Sequence, residues 1–347
     1  MIFVGDIALP SENGIEIKGI PYIAQEKWFG NLEGSLIDNT AGELQNSNGV
    51  FNDISAIEEL IKNYSFGGFA LANNHITDLT DIESTLAYME KLNIPYCGHG
   101  KNLYDASKPL MIEDNGVQLA LLNFGWEVIQ CEIASEKSAG VNPLTKKHVL
   151  DSIRDAVSQY PDAKVIPFMH WSYELEAEPQ PFERELAKKM IDLGAAGVIG
   201  SHPHRIGGFE IYKEKPIVYS LGNWLFKQNY YFGGRLSFPD FCNEELAFEW
   251  DFKTGQYQFH FFEYDREPSA LTYLRTEGKE SKTMSSHTPF RDLTNSAYKI
   301  WYKQNHYHKR KGLPIYYWED SQAIIRCKNR WNKTRDKMLK VIFKKGK

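Results

Sequence analysis

The sequence is poor in cysteine and has neither a long apolar run nor a low-complexity tract. Its four cysteines lie far apart without paired spacing, which argues against a disulfide framework and against a thiolate zinc site. No stretch approaches the ~20 apolar residues of a membrane-spanning helix. The first predicted strand begins at Ile2, so we expect no signal peptide. These absences predict a cytoplasmic protein with buried or incidental thiols at Cys97, Cys131, Cys242 and Cys327.

Apolar residues and charges are plentiful, and the charges are unevenly distributed. Hydrophobic residues make up 42% and aromatic residues 14% of the 347 positions, enough for the core of one large domain or two ordinary ones. The net charge is -5. Residues 326–347 hold ten lysines and arginines against the single acid Asp336, a formal charge of +9 that leaves -14 for the rest. The tail is therefore a candidate for contact with an anionic partner.

Up to about residue 225, short apolar runs alternate with amphipathic stretches, a pattern typical of an α/β protein. The amphipathic stretches predict helices over residues 53–64, 82–92, 146–160 and 181–193. Short apolar runs bounded by Gly, Pro or Asn predict buried strands over residues 117–123, 164–169, 196–199 and 216–221.

Beyond residue 243 the pattern changes. Apolar and polar residues alternate on both sides of a turn at 253–256, which predicts an antiparallel hairpin over residues 244–264. The polar stretch 266–288 suits a linker, and helices rich in Tyr, Trp, Lys and Arg follow. We therefore predict one domain over residues 1–265 and a basic, aromatic-rich helical region over residues 266–347.

Five short segments place a possible metal ligand beside a Gly, Asn or Pro turn, where a predicted strand ends. They are Gly5-Asp6, Asn31-Leu32-Glu33-Gly34, Ala72-Asn73-Asn74-His75, His170-Trp171 and Gly200-Ser201-His202-Pro203-His204. In open α/β sheets, sites are built at the carboxyl ends of strands. The five segments are thus candidates for one shared site.

Together these segments supply the donors that a dinuclear metal site requires, including a carboxylate able to bridge two cations. The candidate ligands are Asp6, Glu33, Asn74, His170, His202 and His204. Imidazoles mixed with carboxylates suit manganese, zinc or iron, and two such ions about 4 Å apart activate water and clamp a phosphoryl transition state.

Each segment alone also has an ordinary structural interpretation. Gly5-Asp6 is a common turn sequence, Asn73-Asn74-His75 suits a helix cap, and an isolated histidine such as His170 is often a packed core residue. Two histidines on either side of one proline, after an apolar strand, favour metal ligands instead. The order of all five segments strengthens the metal hypothesis.

These segments, with further residues near them, resemble the CapA family of capsule or poly-γ-glutamate synthesis proteins. That family is similar in fold to calcineurin-like metallophosphoesterases. The resemblance covers about residues 1–225. Its further carriers are Asp78, Glu174, Glu210 and the run Tyr219-Ser220-Leu221-Gly222-Asn223.

The resemblance implies a four-layer α/β/β/α sandwich with two divalent metals at one edge. One metal would be held by Asp6 and His204, the second by Asn74, His170 and His202, with Glu33 as the bridge. The resemblance further implies His75 as general acid toward the leaving oxygen, with Glu174 and Asp78 orienting imidazoles. It assigns contact with an anionic substrate to Arg205, Asn223 and Asn73.

The chain departs from the family pattern at four positions. Phosphoesterases place a histidine two residues after the first aspartate, where this chain has Ala8. The family usually has a histidine at Ser201, a glycine at Ser172 and a phenylalanine at Trp224. Most similar proteins also carry an N-terminal membrane anchor, which we do not expect here.

The leading functional hypothesis is a metal-dependent hydrolase acting on a phosphate ester or related anionic group during assembly of a capsule or other surface polymer. The alternative is a non-catalytic accessory protein for poly-γ-glutamate or capsular polysaccharide synthesis or export, which Ala8 and Ser201 favour. An amide hydrolase acting on polyglutamate would use the same activated water.

The basic tail has three interpretations. Trp331, Met338, Leu339, Ile342 and Phe343 recur at helical spacing opposite lysines and arginines, as in a helix that lies on an anionic bilayer. This pattern predicts a peripheral position on the inner face of the membrane. Nucleic acid is the less favoured anionic partner, and a solvated helix end is the third interpretation.

Overall fold

The computed structural model describes residues 1–11, 14–19, 22–39, 42, 44, 47–309 and 311–344. The strands in these ranges are β1 (Ile2–Ala8), β2 (Glu16–Lys18), β3 (Lys27–Leu32), β4 (Ser35–Ile37), β5 (Phe51–Asp53), β6 (Ser65–Ala70), β7 (Tyr96–Cys97), β8 (His99–Gly100), β9 (Leu110–Asp114), β10 (Val117–Gly125), β11 (Gly140–Val141), β12 (Lys164–His170), β13 (Val198–Ser201), β14 (Phe209–Tyr212), β15 (Lys215–Val218), β16 (Asn223–Phe226), β17 (Glu244–Trp250), β18 (Tyr257–Arg266) and β19 (Ser269–Glu277). The α-helices are α1 (Ile54–Asn63), α2 (Ile82–Lys91), α3 (Leu103–Ala106), α4 (Lys146–Gln159), α5 (Pro181–Asp192), α6 (Tyr231–Gly234), α7 (Lys282–Ser286), α8 (Asn295–Asn305) and α9 (Gln322–Lys344).

Two large β-sheets are formed. The first has the order β2-β19-β18-β17-β1-β3-β6-β7, with β16 also paired to β1. The second has the order β14-β15-β13-β12-β10-β9. In both sheets the central strands run parallel, β1 with β3 and β6, and β10 with β12, β13 and β15. Their carboxyl ends therefore reach one edge of the fold.

Alternate residues of the strands fill different layers, because successive side chains point to opposite faces of a sheet. On β1, Ile2 and Val4 belong to the buried cluster that includes Ile57 of α1. Phe3, between them, belongs to a second cluster that includes Phe168 of the other sheet. The second cluster is thus the core between the two sheets, and α1 packs on the outer face of the first sheet.

The second sheet follows the same rule. Leu122 of β10 is clustered with Val149 of α4 and Met190 of α5. Its neighbour Leu121 points into the core between the sheets. The layers are helix, sheet, sheet and helix, so the predicted α/β/β/α sandwich is confirmed.

The predicted elements of the first 225 residues agree with the structure to within about two residues at most ends. Two helices begin at residues that form N-terminal capping interactions. The Asp53 carboxylate accepts hydrogen bonds from the backbone of Ser55 (3.0 Å) and Ala56 (3.4 Å) at the start of α1. Helix α5 begins at Pro181, and the Glu183 side chain accepts a hydrogen bond from the Gln180 backbone N–H at 2.7 Å.

The C-terminal third combines one confirmed prediction with one difference. The hairpin of residues 244–264 is present as β17 and β18, which pair antiparallel. The stretch 266–288, expected as a linker, instead contains β19 and α7. Strand β19 pairs with β18 and β2 and buries Ala270 and Leu271, while many of its other side chains are polar and partly exposed. That outer face explains the linker-like composition, and the predicted boundary at residue 265 lies inside β18.

The C-terminal helices pack on the sandwich. The Arg184 guanidinium of α5 donates to the Leu293 carbonyl at 2.9 Å, and the Tyr316 backbone N–H donates to the Gln180 side chain at 3.1 Å. These contacts place the segment leading into α9 beside the loops that follow β12. In the described part of the chain, no helix has the length and apolar content needed to cross a bilayer.

The predicted membrane-binding face of the tail lies partly outside the described residues. Helix α9 continues to Lys344, and Trp331 and Met338 are exposed on it at 52% and 57%. The side chains of Leu339, Ile342 and Phe343 are outside the described part. Binding to an anionic membrane stays a prediction.

Candidate metal centre

The ends of β1, β3, β12 and β13 bring the predicted ligands together. Asp6 on β1 is in register with Asn31 on β3 and with Asn223 on β16. A close backbone approach makes this possible, since a Cβ atom on Gly5 would lie 1.8 Å from the Gly222 carbonyl oxygen. Only glycine fits there, and the Asp6 backbone N–H donates to that same carbonyl at 3.1 Å.

Asp6, Glu33 and His170 form the centre of the site. All three are fully buried, and their possible ligand atoms lie within 4.8 Å of one another. The Asn31 amide donates both to Asp6 Oδ1, at 2.8 Å, and to the Glu33 carboxylate. Asn31 thus fixes the two carboxylates side by side.

Two buried carboxylates side by side are both ionised only when a cation lies beside them, and otherwise they hold protons. Burial raises the pKa of Asp6 to about 7. Burial, followed by the charge of Asp6, raises the pKa of Glu33 well above its ordinary value. Glu33 Oε1 and His202 Nδ1 are buried and have no hydrogen-bond partner among the described residues. A bound cation satisfies all these groups, so the donor set fits a metal.

The three predicted histidine ligands surround these carboxylates. His170 Nδ1 lies 3.0 Å from Ser201 Oγ, and its Nε2 lies 2.9 Å from Asn74 Oδ1. The His202 ring packs 4.8 Å from the His170 ring and 5.8 Å from the His204 ring, centroid to centroid. Burial lowers the pKa of each imidazole, to about 3 for His204. Neutral imidazoles are the form that binds metals.

The loop that carries two of these histidines is strained. His202 has φ 98° and His204 has φ 58°, both in the left-handed region, on either side of Pro203. Asp6 Oδ2 holds the loop by accepting from the His202 backbone N–H at 3.2 Å, and it lies 3.3 Å from His204 Nδ1. Strain of this kind is retained where the geometry serves a site.

His75 stands at the mouth of the site. Its Nδ1 lies 2.7 Å from Asp78 Oδ2, and its Nε2 lies 3.9 Å from Glu33 Oε1. Asp78 is itself fixed because it accepts from the Val50 backbone N–H at 2.9 Å. The imidazole is 24% exposed, so its Nε2 can meet a molecule that enters from solvent.

The three predicted substrate contacts lie in different surroundings. Asn223 Oδ1 lies 2.9 Å from His204 Nδ1, and its buried Nδ2 has no partner in the described part of the chain. Asn73 is buried and donates to the Leu32 carbonyl at 2.7 Å, so its amide braces the loop after β3. Arg205 lies against the Phe241 ring, 4.4 Å from its centroid.

Two of the departures from the family pattern have a clear structural role. Ala8 lies in a buried apolar cluster with Phe226 and Phe238, so position 8 contributes an apolar wall. The His204 ring stacks on Phe238 with centroids 4.4 Å apart. Ser201 supplies the hydroxyl that lies at His170 Nδ1. That contact leaves Nε2 of His170 directed toward Asn74 and Glu33.

Sequence reasoning missed two buried polar residues of the centre. Asn31 lies in one of the five predicted segments but was not among the predicted site residues, and its amide joins the two carboxylates. Glu245 on β17 is fully buried, accepts from the Leu225 backbone N–H at 3.3 Å and has a pKa raised by burial to about 8. The sequence signal for this buried carboxyl is a glutamate directly before the apolar residues of β17.

A cleft of about 450 Å³ opens onto the metal centre. Asn74, His75, Glu174 and His202 line one side of it. The Glu174 carboxyl is largely buried there, and burial raises its pKa. The remaining wall comes from the C-terminal region, through residues that include His308, Lys311, Leu313, Asn332, Arg335 and Asp336.

Two curated proteins that are similar to this chain are both named CapA. The chain is 31% identical over 219 residues to the capsule biosynthesis protein CapA of Bacillus anthracis, covering 60% of this chain and 53% of that protein. It is 32% identical over 175 residues to the PGA biosynthesis protein CapA of Bacillus subtilis (strain 168), covering 50% and 46%. The chain spans about half the length of these relatives.

Among solved structures, the NAD nucleotidase NadN of Haemophilus influenzae matches 72% of this chain and 40% of its own chain, at 13% identity and a TM-score of 0.34. Residues 21–228 match the family model described as bacterial capsule synthesis protein PGA_cap. The matched range contains every predicted metal ligand except Asp6. The chain belongs to the PGA_cap family of bacterial capsule synthesis proteins.

Proposed function

We propose that this chain is a metal-dependent hydrolase that acts on a phosphoester or related anionic group during synthesis of a bacterial capsule or other surface polymer. Family membership and the names of the two CapA relatives support the link to capsule or poly-γ-glutamate synthesis. The observation that carries the hydrolase proposal is the buried cluster of Asp6, Glu33 and His170, in which Glu33 Oε1 has no hydrogen-bond partner among the described residues.

The proposed cofactor is a pair of divalent ions, manganese, zinc or iron. Asp6 and His204 would hold one ion, Asn74, His170 and His202 the other, and Glu33 would serve both. When bound, such ions act as Lewis acids on a phosphoryl oxygen and activate water. Carboxylates mixed with neutral imidazoles suit these metals better than magnesium or calcium.

The chain's own residues supply orientation and a proton. Asp78 accepts a hydrogen bond from His75 Nδ1, which turns Nε2 toward the cleft and the metal centre. A proton on Nε2 can then pass to the oxygen that leaves. The buried Asn223 Nδ2 offers a further donor to an anionic oxygen at the centre.

The accessory function is the second candidate, and the surroundings of Ala8 favour it. Where phosphoesterases place a histidine, this chain has a methyl group in an apolar cluster. A centre short of one nitrogen donor can hold a structural ion without turnover. An Asp6→Ala variant that still restores polymer production in a strain lacking the protein would support this candidate.

The test of the hydrolase proposal is hydrolysis of p-nitrophenyl phosphate and bis-p-nitrophenyl phosphate by the full chain with added manganese. We expect turnover that Asp6→Ala and His202→Ala abolish. The control is His287→Ala, a partly exposed histidine that pairs with Glu244 at 4.0 Å and does not line the cleft. Metal-loaded protein without turnover, or turnover that survives His202→Ala, would refute the proposal.

A further inference from the structure

The C-terminal region, which lies beyond the matched family segment of residues 21–228, builds one wall of the metal cleft. The wall consists of the loop before residue 314 and one face of α9. Its contributors include His308, Lys311, Asn332 and Arg335. The cleft is therefore shared between the family core and this region.

The wall is held by hydrogen bonds to the core. The Glu176 carboxylate accepts from the backbone N–H of Tyr307, at 2.7 Å. The Asn332 amide of α9 donates to the Tyr173 hydroxyl at 3.0 Å. The Trp331 indole N–H donates to the Gly312 carbonyl at 2.9 Å and ties α9 to the loop. These contacts hold the backbone of the wall against the core that carries the candidate metal ligands.

Two cations of this wall face the cleft. Lys311 Nζ makes no ion pair with any carboxylate of the described residues, and it lies 5.2 Å from the centre of the Tyr307 ring. Arg335 is partly buried, donates from Nε to the Lys311 carbonyl at 3.1 Å and pairs with Asp336 at 3.5 Å. The backbone contact positions the guanidinium beside Lys311, and Asp336 neutralises only part of the charge.

Opposite these cations, the cleft offers little charge that would satisfy them. Glu174 is the carboxyl that lines the core side of the cleft; burial raises its pKa, and the charges of His75 and Lys311 act in the opposite sense. Burial also lowers the pKa of His308, which disfavours its charged form. A lysine without an ion pair among the described residues and a partly neutralised arginine, both lining the cleft of the candidate metal centre, are groups that bind phosphate or carboxylate oxygens.

We infer that the cleft takes a substrate with a second anionic group, a phosphate or a carboxylate, spaced from the group that reacts at the metal centre. Lys311 and Arg335 bind this second group and so determine specificity. The inference rests on the proposed function and adds to it the substrate class, which is a compound or polymer with repeated negative charges.

The test is calorimetric titration of the manganese-loaded full chain with inorganic phosphate, inorganic diphosphate and a γ-linked glutamate tetramer. We compare wild type with the double variant Lys311→Ala/Arg335→Ala. The matched control is Lys309→Ala/Arg330→Ala, since both residues are exposed and neither lines the cleft. Thermal unfolding of all three proteins verifies that they are folded.

The inference predicts that the cleft variant weakens binding of diphosphate, of the glutamate tetramer or of both about tenfold more than it weakens binding of phosphate. The probe that shows this loss identifies the second group as phosphate or carboxylate. Equal weakening of all three probes, no weakening, the same loss in the control, or no binding of either multivalent probe by wild type would overturn it. Cleft-dependent binding without turnover would refute hydrolysis and leave the anion site standing, which separates the two failures.

Discussion

In the absence of a bound metal, the protein is expected to lose stability as pH rises, because Asp6 is fully buried. Burial raises the pKa of this carboxyl from 3.8 to about 7 when no cation lies beside it. Between these values the native state binds a proton that the unfolded chain has released, so the free energy of unfolding falls with rising pH. The loss is absent below about pH 4 and complete above about pH 7.

The size of the effect follows from the same pKa values. A carboxyl whose pKa lies at about 7 in the native state and 3.8 when unfolded costs roughly 4 kcal/mol at neutral pH. About 3 kcal/mol of this loss falls between pH 5 and pH 8. Glu33 acts in the same direction, since burial and the charge of Asp6 raise its pKa as well.

The assay is urea unfolding of chelator-treated protein, followed by tryptophan fluorescence at pH 5 and pH 8. Wild type should lose about 3 kcal/mol more than Asp6→Asn over this interval. Glu183, whose pKa burial raises to about 8, is common to both proteins and cancels in the comparison. The pKa of Glu245 is raised mainly by burial and further by the charge of Asp6, so Glu245 adds to the difference in the same direction. Asp162→Asn, at an exposed aspartate, is the control and should behave as wild type. Identical pH dependence of wild type and Asp6→Asn would refute the reasoning, and added manganese should remove the difference.

Three further predictions follow from single features. Gly5→Ala should destabilise the protein by about 3 kcal/mol or more, because its Cβ would lie 1.8 Å from a backbone oxygen. The control Gly278→Ala, which has open space around it, should leave stability unchanged, and equal urea midpoints for the two variants would contradict the prediction. His75→Ala should lower kcat about 100-fold or more for alkyl phosphates and much less for p-nitrophenyl esters, whose leaving group needs little protonation; equal losses would exclude a general acid. Neutralising three exposed cations of α9 should weaken the free energy of binding to phosphatidylserine liposomes by about 1 kcal/mol per residue, measured as a smaller sedimented fraction. An unchanged sedimented fraction would count against membrane binding. The tail variant changes Arg330, Lys333 and Lys337 to Gln, and its control changes the exposed Lys147, Lys164 and Lys253.

Most of the sandwich could be predicted from the sequence because its periodicities are local. The helices at 53–64 and 181–193 carry their own start signals, Asp53 and Pro181, and the parallel strands are apolar on both faces. Strand β19 could not be predicted in this way. It is stabilised by pairing with β18 and β2, which its mixed sequence does not reveal.

Some residues of the candidate site could likewise be predicted from local sequence patterns, and others could not. The ligand segments were visible because each follows a strand that ends at a shared edge. The role of Asn31 could not be predicted, because it depends on hydrogen bonds to Asp6 and Glu33 at the same time. The wall that carries Lys311 and Arg335 depends on long-range contacts that no local pattern encodes: the Tyr307 backbone bonds to Glu176, and Asn332 of α9 bonds to Tyr173.

The central claim is that Asp6, Glu33 and the three histidines hold metal ions. It is tested most directly by elemental analysis of the full chain, purified without a chelator or a histidine tag, beside a Glu33→Gln variant with the same fold. The account predicts two ions per chain in wild type and loss of at least one in Glu33→Gln, because an amide cannot replace the carboxylate as a ligand shared by two cations. Metal-free wild type after manganese addition, or equal metal content in the two proteins, would contradict it.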